Sequence, residues 1–360
     1  MGKLHNFISS ANVRNVGKLL SANVVAQVIG LIVYPILTRM YAPEDFGLLN
    51  LFISIGNVLV VLSLVDYYYA IVLPKQDRHA VALVHVSSLA LLITVALVAL
   101  SVTLAGPISA LFKSPELERY YWIMPIYVLT MGTWNILNYW YIRQKQFGQI
   151  SQYLMSQSAL SAGGKIGMGY AGVLQGGMIY AVVVAPLLSL VTSIVRNFRG
   201  CLQPLLRISK SDIVEQSKQY RNFPCFVLPR SFLNVLAGQL PILLLTPFFG
   251  AKYVGLLSMA LLLGYTPIGT ITRAIYQVLY QYTTERVHAA QRIGDVFWRF
   301  IGWSSVIILP VFGGLFFVLP DITSWLLGEE WRVVGTYIRW MLPWLYLSLL
   351  TGSTCYLSDV

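Results

Sequence analysis

Ten apolar runs of about twenty residues follow one another along the chain, near 16–38, 47–72, 80–105, 120–142, 151–172, 177–195, 223–247, 253–281, 297–319 and 333–357. An α-helix rises ~1.5 Å per residue, so ~20 residues cross the ~30 Å hydrocarbon core of a bilayer. Inside lipid every backbone N–H and C=O must pair within the spanning element, which leaves only helices or a closed barrel. Barrel strands alternate apolar and polar residues over ~10 positions, whereas these runs are continuous. The expected fold is all-α: a polytopic membrane protein of about ten transmembrane helices. Composition agrees, with 57% of the 360 residues hydrophobic and 11% charged, against ~25% charged in a soluble domain. The first run is too long for a signal-peptide core and ends without a small-residue cleavage site, so the chain is expected to stay in the membrane that receives it.

The charge pattern supplies an orientation. Sixteen basic residues fall in the N-terminal segment and the even-numbered loops, five in the odd-numbered loops. Cytoplasmic loops carry the excess of Lys and Arg, which puts both termini in the cytoplasm. The net charge of +11 is then topological, and nucleic acid is not an expected partner. The three cysteines and four histidines have neither CxxC nor HExxH spacing, so no disulfide framework or metal site is read from them.

Motifs for enzyme chemistry fail on context. Gly167-Met-Gly-Tyr-Ala-Gly172 satisfies GxGxxG but lies inside an apolar run, where a dinucleotide motif would follow a strand. The Ile after Gly164-Lys165, and Ala159 where the first glycine belongs, rule out a phosphate-binding loop. No nucleophile, base and orienter stand at recognisable spacing. The reading is a non-enzymatic protein with no cofactor, and Gly163-x-x-x-Gly167 is read as a small-residue face for close helix contact.

Six basic residues lie in the polar stretch from Arg196 to Arg221, which reads as a cytoplasmic linker between two halves. At an offset of 208, Leu37-Thr38 falls on Leu245-Thr246 and Gly47-Leu-Leu49 on Gly255-Leu-Leu257. Both segments join the first and second spans of their half. Repeats related by an axis along the membrane normal are a transporter design. The expected organisation is a six-helix N-terminal lobe over 1–208 and a pseudo-symmetric C-terminal lobe over 209–360, incomplete at four helices.

Polar residues inside spans are the candidate site, because a cation at a helix centre costs ~2.5–3.5 kcal/mol and usually faces protein or water. Lys165 lies deepest, ~21 Å along the fifth span at ~1.5 Å per residue. Arg230 in the seventh span and Arg273 in the eighth are shallower cations, and Asp66 at the inner end of the second is their acidic counterpart. Asn23, Gln27 and Tyr34 share one stripe of the first span at i, i+4 and i+11. The clusters Tyr67-Tyr-Tyr69, Tyr120-Tyr-Trp122 and Tyr139-Trp-Tyr141 read as an interfacial belt. Prolines at 35, 125, 186, 229, 241, 267, 310 and 343 are expected to bend the spans.

Leu19-Leu-Ser-Ala-Asn23, Ala26-Gln27, Leu37-Thr-Arg-Met-Tyr-Ala-Pro-Glu-Asp-Phe-Gly47 and Val65-Asp-Tyr67 resemble the N-terminal half of bacterial polysaccharide (O-antigen) flippases. Tyr220-Arg-Asn-Phe-Pro224, Gly255-Leu-Leu-Ser258, Pro267-Ile-Gly269 and Gln277-Val-Leu-Tyr280 resemble their seventh and eighth helices. The family belongs to the multidrug/oligosaccharidyl-lipid/polysaccharide exporter superfamily. The resemblance implies two six-helix lobes around a cavity that moves undecaprenyl-pyrophosphate-linked oligosaccharide across the bacterial inner membrane, for O-antigen or other surface polysaccharide. It implies membrane lipid and polysaccharide polymerase machinery as partners. The chain departs from the pattern in lacking an eleventh and twelfth helix. Competing readings are a cation-coupled multidrug exporter of the same superfamily, a truncated non-functional copy, and a membrane protein that transports nothing.

Overall fold

Helix accounts for almost every residue that the computed structural model describes, namely 32–206, 209–288 and 294–355, and no strand occurs among them. The helices of ten residues or more are α1 (Pro43–Leu64), α2 (Asp77–Ser101), α3 (Met124–Arg143), α4 (Phe147–Tyr170), α5 (Leu174–Asn197), α6 (Lys210–Gln219), α7 (Leu228–Phe249), α8 (Ala251–His288), α9 (Gly294–Leu327) and α10 (Arg332–Thr354). They pack as two units, Met1–Val254 and Gly255–Val360. The packing boundary falls in the first turn of α8, because α6 and α7 both lie against the first unit.

Among the described residues six stretches are long and apolar enough to cross a membrane: Pro43–Leu64, Asp77–Leu111, Gly176–Leu206, Phe223–Phe249, Ala251–Arg273 and Trp298–Leu327. The protein is therefore an all-α, polytopic membrane protein. Three more expected spans form helices, α3, α4 and α10, with more polar residues. The first expected span lies mostly outside the described residues. Exposed apolar stripes mark lipid-facing surface: Leu89, Ile93, Leu97 and Leu100 on α2 recur at helical spacing and all stand out of the packed unit.

Local chemistry sets the element ends. Ala42 precedes α1, Pro43 opens it with its φ preset, and Asp45 accepts a hydrogen bond from the Ala42 N–H at 3.1 Å. The helix stops where Val65 and Asp66 adopt left-handed φ of 49° and 54°, a conformation costing ~1–3 kcal/mol in non-glycine residues. Pro125 sits in the first turn of α3, where the missing N–H is not needed, so it starts the helix and does not bend it. Pro229, near the start of α7, follows the π-helical turn Phe223–Val227 without a break. Pro186, Pro241, Pro267, Pro310 and Pro343 do lie inside helices. The starts of α1 and α8, Pro43 and Ala251, lie 208 residues apart, as do those of α3 and α10, Met124 and Arg332.

Aromatic residues expected at the membrane interface are largely interior. Trp140 and Tyr141 are fully buried. The Trp140 indole donates to the Cys201 carbonyl at 3.0 Å, and the Tyr141 and Ser193 hydroxyls lie 3.1 Å apart. Tyr120 is buried against the ring of Tyr180. An aromatic ring whose polar tip finds a protein partner gains more by packing than by sitting at the headgroups, and only Trp122 of these clusters is strongly exposed. In the second unit the Arg339 guanidinium lies over the rings of Phe316 and Trp340, 5.1 and 5.6 Å from their centroids, a cation–π arrangement.

Candidate functional site

α4 is the least lipid-like of the long helices in the first unit, and its polar residues are not scattered. Gln157, Ser161 and Lys165 recur every four residues and so lie on one face. That face lines a cavity of ≈ 210 Å³ together with Ser158, Ala162 and, from the end of the first expected span, Val33, Tyr34 and Leu37. Tyr41, in the turn before α1, donates its hydroxyl to the Lys165 carbonyl at 2.7 Å and fixes the height of this face. Burial pushes the Tyr41 phenol above its ordinary pKa, so it stays a donor.

Lys165 is half-buried and, among the described residues, no carboxylate pairs with it. The ion pairs there join Arg78 to Asp212, Arg143 to Asp77, Lys252 to Glu44, and Arg332 to Asp321 and Glu329. The cavity thus offers one cation, an amide and three hydroxyls from Tyr34, Ser158 and Ser161. Such a set pairs with an anionic oxygen and hydrogen-bonds neutral hydroxyls.

α4 is held by α5, and the contact runs through a different glycine than the sequence suggested. A Cβ on Gly164 would lie 3.2 Å from the Ala181 Cβ, whereas none of the described atoms comes within 4 Å of one on Gly163 or Gly167. Gly163 and Gly167 are exposed, one residue position round from the packed face.

Asp66 lies in the same unit, in the neighbourhood of Arg230 and Ser231 of α7, although no ion pair joins it to Arg230 among the described residues. Asp66 is fully buried. The Arg230 charge and the Ser231 hydroxyl act on it from α7. Around it Tyr68, Tyr69 and Tyr139 pack as a triad, with ring centroids 4.2, 5.1 and 5.2 Å apart. Arg273 belongs to the second unit, where it is exposed and its Nε donates to the Gly269 carbonyl at 3.2 Å. Asn23 and Gln27 lie outside the described residues, although Tyr34 of their stripe does line the Lys165 cavity. Sequence reasoning missed Gln157, Ser158, Ser161 and Tyr41; the first and third were detectable as the i−8 and i−4 neighbours of Lys165.

The family model described as "Polysaccharide biosynthesis protein" matches residues 36–335. The succinoglycan biosynthesis transport protein ExoT of Rhizobium meliloti (strain 1021) is 22% identical over 346 residues, covering 94% of this chain and 65% of that protein. The chain therefore spans about two thirds of the length of this curated relative. No solved structure matches it significantly.

Proposed function

The chain belongs to the polysaccharide biosynthesis protein family, and from that premise we propose that it is a flippase, which moves polyprenyl-diphosphate-linked oligosaccharide from the inner to the outer leaflet of the bacterial inner membrane for surface polysaccharide assembly. The single observation that carries the reading is Lys165, a cation with no carboxylate partner among the described residues, set in a polar cavity on α4. A charge there is costly unless it meets water or an anion. The diphosphate of a lipid-linked sugar is such an anion, and the sugar hydroxyls suit Gln157, Ser158 and Ser161. The name of the relative, a succinoglycan biosynthesis transport protein, supports the same substrate class.

The physical problem is the head group. Each sugar hydroxyl and each phosphate charge would lose its hydration in hydrocarbon, so unaided crossing is very slow. A polar cavity replaces that hydration while the polyprenyl tail stays in lipid. Two lobes divided near 208/209 would expose the cavity to each side in turn, and bends at the helix-interior prolines suit such rocking. This chemistry needs no cofactor, and polysaccharide polymerase machinery would take the delivered substrate. Deletion in the native strain, with complementation by the full chain, tests the reading: surface polysaccharide is expected to fall and to be restored. Unchanged polysaccharide in the deletion strain would remove it.

A further inference from the structure

In a bilayer any apolar groove fills with hydrocarbon, so apolarity alone selects nothing. The groove between α9 and α10 differs because a cation closes one end of it. It measures ≈ 570 Å³ and is lined by Leu309, Phe312 and Phe317 of α9 and by Leu342, Tyr346 and Leu347 of α10. Its α9 wall lies within the apolar stretch Trp298–Leu327, at the depth of lipid tails. The Tyr346 hydroxyl is spent on that of Ser305. Gly313 supplies room: none of the described atoms comes within 4 Å of a Cβ placed on it.

Arg339 shares the face of α10 that lines the groove, because Leu342, Pro343 and Tyr346 follow it at helical spacing. Its guanidinium lies 5.1 Å from the ring centroid of Phe316, itself part of the groove wall. Such a contact satisfies the face of the guanidinium and leaves its in-plane donors to find acceptors. The Nε is buried and has no hydrogen-bond partner. Among the described residues no carboxylate pairs with Arg339.

The remaining acids do not stand near it either. Residues 1–31 contain no Asp or Glu. Asp295 on α9 is about 30 Å along the helix from Phe316, and Glu285 on α8 about 30 Å from Gly264, which faces Ile338 beside Arg339. Asp359 follows the far end of α10. Arg339 itself is ~10 Å along α10 from Arg332, and helical side chains tilt toward the N-terminus. The guanidinium thus reaches toward the headgroups at the Arg332 end, and the groove runs from it toward the middle of the bilayer.

We propose that this groove is a site for an anionic phospholipid, with one acyl chain between α9 and α10 and the phosphate on Arg339. A zwitterionic lipid brings its own cation to its phosphate, whereas an anionic one supplies the charge that Arg339 lacks. Basic pockets between membrane helices select lipids in this way. The site lies wholly in the second unit and does not depend on the flippase reading.

The test uses the purified full chain from nanodiscs of equal parts palmitoyl-oleoyl phosphatidylglycerol and phosphatidylcholine, with the most tightly held lipid identified by native mass spectrometry. Wild type is expected to favour phosphatidylglycerol about fivefold, the worth of one arginine at an anionic lipid. Arg339→Gln is expected to keep a lipid and lose the preference. Gly313→Leu, which fills the groove from an exposed position, is expected to lose the lipid, and it carries the test if Arg339→Gln does not accumulate. No preference in wild type, a preference that survives Arg339→Gln, or a lipid held as before by Gly313→Leu would overturn the site. So would a lipid-free dimer, which would mean that a second copy covers the groove. Displacement of the phospholipid by equimolar polyprenyl diphosphate would assign the groove to that lipid and overturn the proposal as well.

Discussion

Lys165 presents a compact charge on a four-carbon stem, and what it does follows from how its neighbours fail to neutralise it. If it holds a phosphate, Lys165→Arg keeps the charge in a planar fork of different reach and should retain part of the transport, whereas Lys165→Ala should lose it by tenfold or more, the worth of ~1.4 kcal/mol in one charge-assisted contact. Surface polysaccharide and protein abundance measured in the same cells decide the matter. Loss of polysaccharide in step with abundance would make Lys165 structural, and normal levels of both would end its role. Gly47 makes a purely steric case at the same scale. A Cβ there would lie 1.8 Å from the Ala251 carbonyl oxygen, a backbone atom with nowhere to go. Gly47→Leu should therefore lower thermal stability in detergent, by ~1–3 kcal/mol or more, without touching the cavity.

At the scale of elements, α1 is tied by polar contacts to α7 and to the first turn of α8, in a setting where hydrophobic pressure between helices is weak. Ser54, fully buried, donates to the Gln239 side chain of α7 at 2.7 Å, and Glu44 faces Lys252 of α8 at 3.7 Å. A double-mutant cycle on Ser54→Ala and Gln239→Ala should return a coupling near ~0.6 kcal/mol, typical of hydrogen bonds between membrane helices; zero coupling would mean that packing alone joins the pair. The polar helix α6 has its own ties, since Asp212 meets Arg78 at 3.4 Å and the Tyr67 hydroxyl donates to the Ser217 carbonyl at 3.0 Å. Sequence made the helices themselves legible, because apolar length and punctuation by Pro, Gly and charge are local properties. Partners were less so. The four-residue spacing of Gln157, Ser161 and Lys165 was there to be read and was missed, whereas nothing in it tells that Tyr34 and Leu37 close the face. Periodicity offered Gly163 and Gly167 as a packing pair where Gly164 does the packing. Tyrosines near span ends were read as an interface belt because nothing local reveals that Ser193 and the Cys201 carbonyl wait for Tyr141 and Trp140.

For the whole molecule the open quantity is which ends of these helices share a side of the membrane. Lys113 stands exposed between α2 and α3, Lys218 is exposed on α6, and Glu330 is exposed just before α10. Between Lys113 and Lys218 the chain passes through α3, α4 and α5, and between Lys218 and Glu330 through α7, α8 and α9. Three crossings each time put Lys218 opposite the other two. The sign comes from charge: the side holding the linker carries sixteen basic residues against five, which makes it cytoplasmic. Reporter fusions at Lys113 and Glu330 should thus signal outside, and one at Lys218 inside. The two possible failures mean different things. Signals reversed at all three positions would keep every crossing and invert the charge argument. Equal signals at Lys113 and Lys218 would mean that α3, α4 and α5 do not all cross, and α3 and α4 are the ones at issue, since their polar residues leave them outside the six stretches apolar enough to span by composition. For α4 to cross at all, Gln157, Ser161 and Lys165 must be kept from lipid, so an inside signal at Lys218 also bears on whether the polar cavity lies at membrane depth.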